Sequence, residues 1–192
     1  MLSVGEINEL IDVEESFHAS YKLMDILKCE GSKEELFNAF LQKETDLTYD
    51  WFLEYYQSEH SDRKGKMQDF TPHEVSEIAS KILGKSSSNM DMCSGVGGLT
   101  IKRWVGNPEQ VFHCEEFSDR AIPFLLFNLS IRNIEGTVKH GDSLTRQFKA
   151  TYTLNKGDKF SKIIKSDTVE DVKVESVIMN PPYSMKWEHE EK

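Results

Sequence analysis

The sequence is short of the residues that staple a fold or fix a metal. It has only 3 cysteines, Cys29, Cys93 and Cys114, odd in number and with no Cys-x-x-Cys pair. That spacing excludes a disulfide framework and a zinc knuckle. No apolar run approaches the roughly 20 residues of a membrane span. The amino terminus, MLSVGEINELIDVEE, is acidic where a secretory signal is basic. A soluble cytoplasmic protein with no membrane partner is expected. Basic residues are scarce too: 23 Lys and Arg stand against 33 Asp and Glu, for a net charge of −10 over 192 residues. A free-standing nucleic-acid binder usually carries the opposite sign. If the substrate is DNA, this chain is ill-equipped to hold it alone.

The acid is uneven. Residues 1–66 carry 15 of the Asp and Glu but only 7 of the Lys and Arg. Aromatic residues are plentiful, with 11 Phe, 6 Tyr and 3 Trp, enough to exclude a disordered polymer. Helical spacing over residues 5–28 places Ile7, Leu10, Ile11, Phe17, Tyr21, Met24 and Leu27 on one stripe. Ser32-x-x-Glu35 reads as a capping box opening a second helix through Leu36, Phe37, Phe40 and Leu41. Trp51–Tyr56 reads as a third. The polar segment 58–66 is the candidate linker, giving a helical segment over 1–66 and a second domain over 67–192.

From residue 71 the pattern changes. Thr71, Pro72 and Glu74 have the types for N-cap, N1 and N3, and Val75, Ile78, Ala79, Ile82 and Leu83 form one predicted buried stripe closed by Gly84. Strands at 88–92, 110–114, 137–140 and 174–179 then alternate with helices at 99–104 and 118–132. Such alternation specifies an α/β fold with a mostly parallel sheet. Residues 145–173 are long and polar, and Asn155-Lys156-Gly157 suggests a protruding hairpin.

Four signals fall at the carboxyl ends of predicted strands, where open parallel sheets bind ligands. Asp91-Met-Cys93-Ser-Gly95-Val-Gly97-Gly98 is a glycine turn, although a full Gly-x-Gly-x-x-Gly is absent. Cys93 is expected to be a small packed residue, not a nucleophile. Glu115 closes its strand at about the spacing of a ribose-gripping acid, with Glu116 an immediate rival. Gly141-Asp142-Ser143 offers a carboxylate for an exocyclic amine, or a simple turn. Asn180-Pro181-Pro182-Tyr183 is the most specific signal: two prolines fix a rigid turn, Asn180 offers an amide carbonyl, and Tyr183 a flat stacking face.

As an ordered set these motifs resemble the amino-group adenine DNA methyltransferases, closest to type I restriction-modification methylase subunits and phage relatives. Met67-Gln-Asp-Phe70-Thr71-Pro72 is similar to the family's Gly-Gln-Phe-Phe-Thr-Pro, and Asn128-Leu129 to an Asn-Leu in the intervening helix. The resemblance covers roughly residues 47–185. It implies a Rossmann-like methyltransferase fold behind a small helical segment. The implied cofactor is S-adenosylmethionine, flanked by Phe70, Thr71 and Pro72. Asp91, Cys93, Gly95 and Gly97 would hold its methionine end, Glu115 its ribose, and Asp142 with Ser143 its adenine. A target adenine flipped from DNA would meet the catalytic Asn180, Pro181, Pro182 and Tyr183, with no metal.

The chain ends nine residues after Tyr183, where the family's sheet continues. The resemblance therefore implies a partial domain with strand 174–179 at an open edge. That edge offers a route to homo- or hetero-oligomers, and a separate recognition subunit or domain would read the DNA. Two other readings stay open: a methyltransferase acting on RNA or a protein glutamine, and a non-catalytic module acting on a restriction system.

Overall fold

The computed structural model describes residues 1–59, 71–168 and 172–182. Within them, helices α1 (Val4–Ile11), α2 (Ala19–Leu27), α3 (Glu30–Lys43) and α4 (Leu53–Glu59) precede α5 (His73–Leu83). The sheet-forming part follows: β1 (Ser88–Asp91), α6 (Gly98–Gly106), β2 (Val111–Glu116), α7 (Ala121–Ile131), β3 (Gly136–Asp142), β4 (Gln147–Asn155), β5 (Lys162–Ser166) and β6 (Ser176–Val177). The order across the sheet is β5-β4-β3-β2-β1-β6. β6, β1, β2 and β3 run parallel, and β4 and β5 add antiparallel to the β3 edge. The expected α/β, mostly parallel sheet is present. The chain moves outward from β1 to β3, then returns to the other side of β1, which creates a switch point between β1 and β6. Open sheets bind ligands in such crevices.

One face of the sheet is packed. Asn89, Asp91, Phe112, Cys114 and Val138 are buried, while the alternating Met90, Val111, His113 and Thr137 are only partly so. Against the packed face lies α7, every residue of which is buried. The helical front locks onto α7 through rings: Phe127 meets Phe37, Phe40 and Phe52 at centroid distances of 4.8, 4.7 and 4.9 Å, mostly edge-to-face. Each fully buried Phe contributes about 1.5–3 kcal/mol, so the front helices and the sheet share one core. The expected boundary at 66/67 falls in residues 60–70, outside the described residues.

Several expected elements differ. The 5–28 stripe is broken at Asp12, whose left-handed φ of 63° ends α1. The phase resets, and Phe17 and Tyr21 are exposed while Ala19, Leu23 and Leu27 go inside. Ser32 opens no helix. α3 starts two residues earlier, because the buried Lys33 pairs with Glu30 at 2.9 Å and donates to the Ser161 carbonyl at 2.8 Å, anchoring that first turn. Thr71 does not cap α5. Pro72 holds the N-cap position, and its carbonyl takes both the amide and the hydroxyl of Ser76. The predicted buried stripe of α5 is exposed at Val75, Ile78, Ile82 and Leu83, and Ser76 is buried instead. The hairpin after β3 does not protrude; it joins the sheet as β4 and β5. β6 spans only 176–177 of the expected 174–179.

Candidate active site

A cleft of about 800 Å³ opens at the carboxyl ends of β1, β2, β3 and β6. Its floor is the turn after β1. Gly95 and Gly97 have left-handed φ of 56° and 101°, a conformation that costs side-chain-bearing residues about 1–2 kcal/mol. A Cβ on Gly97 would also press on Leu125 Cδ1 at 3.0 Å. Glycine is therefore required here by conformation and by contact. Gly95, Cys93, Ser94 and Gly98 line the cleft, and α6 begins at Gly98 with its first amides unpaired within the helix. Burial and the nearby carboxylates of Glu116 and Asp91 push the Cys93 thiol up to about 11. It stays a neutral thiol, unsuited to nucleophilic attack.

Asp91 lies beneath this turn and not on the cleft wall. It is fully buried, accepts Thr100 Oγ1 at 2.9 Å on Oδ2, and leaves Oδ1 without a partner. Burial pushes its pKa up to about 7. Its carbonyl accepts Ser94 Oγ at 2.7 Å, so it shapes the turn from below.

Glu115 is not among the residues that line the cleft. Successive strand residues face opposite sides, and only one of Glu115 and Glu116 can reach the cleft. Glu116 does. Its Oε2 accepts the Gly95 amide at 2.8 Å and its Oε1 the Ser118 amide at 2.6 Å, which holds the carboxylate against the glycine turn. Glu115 faces the other way, where Arg146 clasps both its oxygens at 2.8 and 3.0 Å.

At the end of β3, Gly141, Asp142 and Ser143 line the cleft. Only glycine fits at 141, since a Cβ would fall 2.2 Å from the Gln147 carbonyl on the adjoining strand. Asp142 Oδ1 accepts the Leu144 amide at 2.9 Å, and Ser143 Oγ donates to the Met92 carbonyl at 2.9 Å, stitching the β3 and β1 ends together. Asn180, Pro181 and Pro182 enter from the end of β6, His73 and Ser76 from α5, and Thr71 from just ahead of it. Pro72 is exposed and does not line the cleft. Phe70 and Tyr183 lie outside the described residues.

The motif reading missed one wall. Tyr49, Asp50, Trp51 and Leu53, from the helical front, close the cleft over the glycine turn. Asn128, the α7 residue singled out by resemblance, ties the two: its Nδ2 donates to Asp50 Oδ1 at 2.7 Å and to the Val96 carbonyl at 2.8 Å. Among the described lining residues, the carboxylates Asp50, Glu54, Glu116 and Asp142 face a single lysine, Lys102.

The family model for N-6 DNA methylases matches residues 45–192, which takes in this front wall, the glycine turn and the Asn-Pro-Pro turn. The chain belongs to the N-6 DNA methylase family. Neither a curated protein nor a solved structure matches it. As an N-6 DNA methylase it belongs to a group of methyltransferases with DNA as the family's substrate, and its Rossmann-like α/β sheet agrees with that membership. No helix among the described residues is long and apolar enough to cross a membrane.

Proposed function

We propose that this N-6 DNA methylase uses S-adenosylmethionine to methylate the N6 amino group of adenine in DNA. One observation carries the reading: four separate strand ends deliver the glycine turn, Glu116, Asp142 and Asn180-Pro181-Pro182 into a single cleft. The cleft suits the cofactor. Its carboxylates outnumber its one lysine and match a ligand of net positive charge. The left-handed glycines permit close backbone approach, and the α6 amino terminus suits a carboxylate. Bound there, the cofactor supplies an electrophilic methyl group on sulfur.

The chain's own residues would divide the work. Cys93, Gly95 and the α6 amino terminus take the methionine end, with Asp91 and Gly97 fixing the turn. Glu116, in place of Glu115, accepts the ribose hydroxyls, because its carboxylate lines the cleft and is held against the glycine turn by the Gly95 and Ser118 amides. Asp142 and Ser143 flank the cofactor's adenine, and Thr71 stands at the pocket rim, next to Pro72 at the N-cap of α5. Asn180 and the Pro181 carbonyl accept the N–H groups of the target amine. That holds its nitrogen toward tetrahedral geometry, stabilising the transition state more than the flat ground state. Pro182 stiffens the turn, and Tyr183 stacks on the base. The net charge of −10 supports a separate recognition subunit or domain for holding the DNA, as in a restriction system.

The test is transfer of labelled methyl from S-adenosylmethionine to adenine-containing duplex DNA, with RNA and protein as parallel acceptors. Label recovered as N6-methyldeoxyadenosine, and lost in Asn180→Ala, is the expected result. Label in RNA or glutamine alone would move the substrate. Cofactor binding with no transfer to any acceptor, unchanged by Asn180→Ala, would make the chain a non-catalytic module.

A further inference from the structure

Asp50 belongs to none of the strand-end motifs, yet it stands on the cleft wall. It sits between α3 and α4, is nine-tenths buried, and is locked on one side only. Oδ1 accepts Asn128 Nδ2 at 2.7 Å and the Phe52 amide at 2.9 Å, while Oδ2 has no partner. That unpartnered oxygen faces the start of α6: a Cβ added to Gly98 would lie 3.9 Å from it. A buried carboxylate oxygen without a donor is costly, and native structures seldom leave one unless a ligand or water completes it.

The surrounding groups do not supply that donor. Arg132, buried behind Asp50, spends its guanidinium on the Leu47 and Tyr49 carbonyls and on Asn128, not on Asp50. Lys102, on the same cleft, donates to the Thr48 carbonyl at 2.7 Å. Burial pushes the Asp50 pKa up to about 6, with Arg132 opposing. A cation arriving at Oδ2 would keep the group ionised.

We propose that Asp50 Oδ2 receives the α-ammonium group of the cofactor's methionine end. This rests on the S-adenosylmethionine reading above. An amino acid carries its ammonium and carboxylate on one carbon. A carboxylate drawn to the unpaired amides at the amino terminus of α6 therefore brings the ammonium beside Gly98, where Oδ2 stands. Asn128 holds Asp50 and the glycine turn with the same amide group, so the acceptor is positioned before the ligand arrives. The helical front thereby becomes part of the cofactor site.

Calorimetric titration separates this role from a structural one. The ligands are S-adenosylhomocysteine and its deaminated analogue, which keeps the carboxylate. The proteins are wild type and Asp50→Asn, whose amide oxygen can still accept from Asn128 and Phe52. Wild type is expected to lose about ten- to a hundredfold in affinity when the ammonium is removed. Asp50→Asn should lose the same factor for the parent ligand and bind the deaminated one within about twofold of wild type. Equal losses for both ligands in the variant, or none for either, overturn the proposal and leave the cofactor reading standing. Wild type that binds neither ligand overturns both. If Asp50→Asn does not fold, the wild-type pair decides: equal affinities for the two ligands overturn the assignment.

Discussion

α5 and α7 are each 11 residues long and meet opposite fates. α7 is apolar but for Asn128 and Ser130 and is wholly buried, gripped by the sheet below and the aromatic front above. α5 has the cleaner amphipathic pattern, yet it turns its apolar stripe outward and docks by its polar side. Ser80 donates to the Lys102 carbonyl at 3.3 Å, and Arg103 of α6 reaches the Ser80 and Gly84 carbonyls at 3.1 and 2.6 Å. Periodicity thus reveals that a stripe exists, and not which element covers it. For α5 the deciding interaction is a buried guanidinium looking for acceptors.

That contrast can be broken by substitution. Phe127→Ala should do most damage, about 3–5 kcal/mol in urea unfolding, because it empties the junction of three rings. It should also weaken cofactor binding by loosening the wall that holds Asp50. Arg103→Met should cost less, about 1–3 kcal/mol. It removes the side-chain donor to the Ser80 and Gly84 carbonyls, and frees the 73–84 amides to exchange before those of α7. Ile78→Lys and Ile82→Lys should change stability by no more than about 0.5 kcal/mol, since these side chains are 59% and 80% exposed. A loss above 1 kcal/mol, or a changed sedimentation coefficient, would mean that the stripe is covered in solution.

The sequence carried the βα alternation and the cleft's strand-end motifs because each is a local signature: glycines at a turn, prolines after a strand. It carried the hairpin turn at Asn155-Lys156-Gly157 but not the pairing of β4 and β5 onto the β3 edge. TYTLNKGDKFSKII alternates weakly because an edge hairpin has one face half in water and little need for apolar residues. It also left Glu115 and Glu116 one position apart, a difference that spacing from the glycines cannot resolve. The strand separates the two sides: Phe112 and Cys114 mark the packed one, and Glu116 continues that series. Asp50 had no motif at all. Its one signal was a lone acid set directly before the aromatic run Trp51-Phe52, where an uncompensated charge has no place in a core.

The position of β1 bears on how the molecule is made. It precedes every other strand in sequence, but it lies inside the sheet between β2 and β6. During synthesis it gains its first partner when residue 116 emerges and its second only at residue 176. At about 5–20 residues per second one flank of β1 waits roughly 3–12 s. Over that interval the nascent chain carries β1 as a half-paired edge, the kind that recruits chaperones or neighbouring chains. The floor of the cleft is set early and its far wall last, so Asn180, Pro181 and Pro182 join the cleft only after the other strand ends are in place.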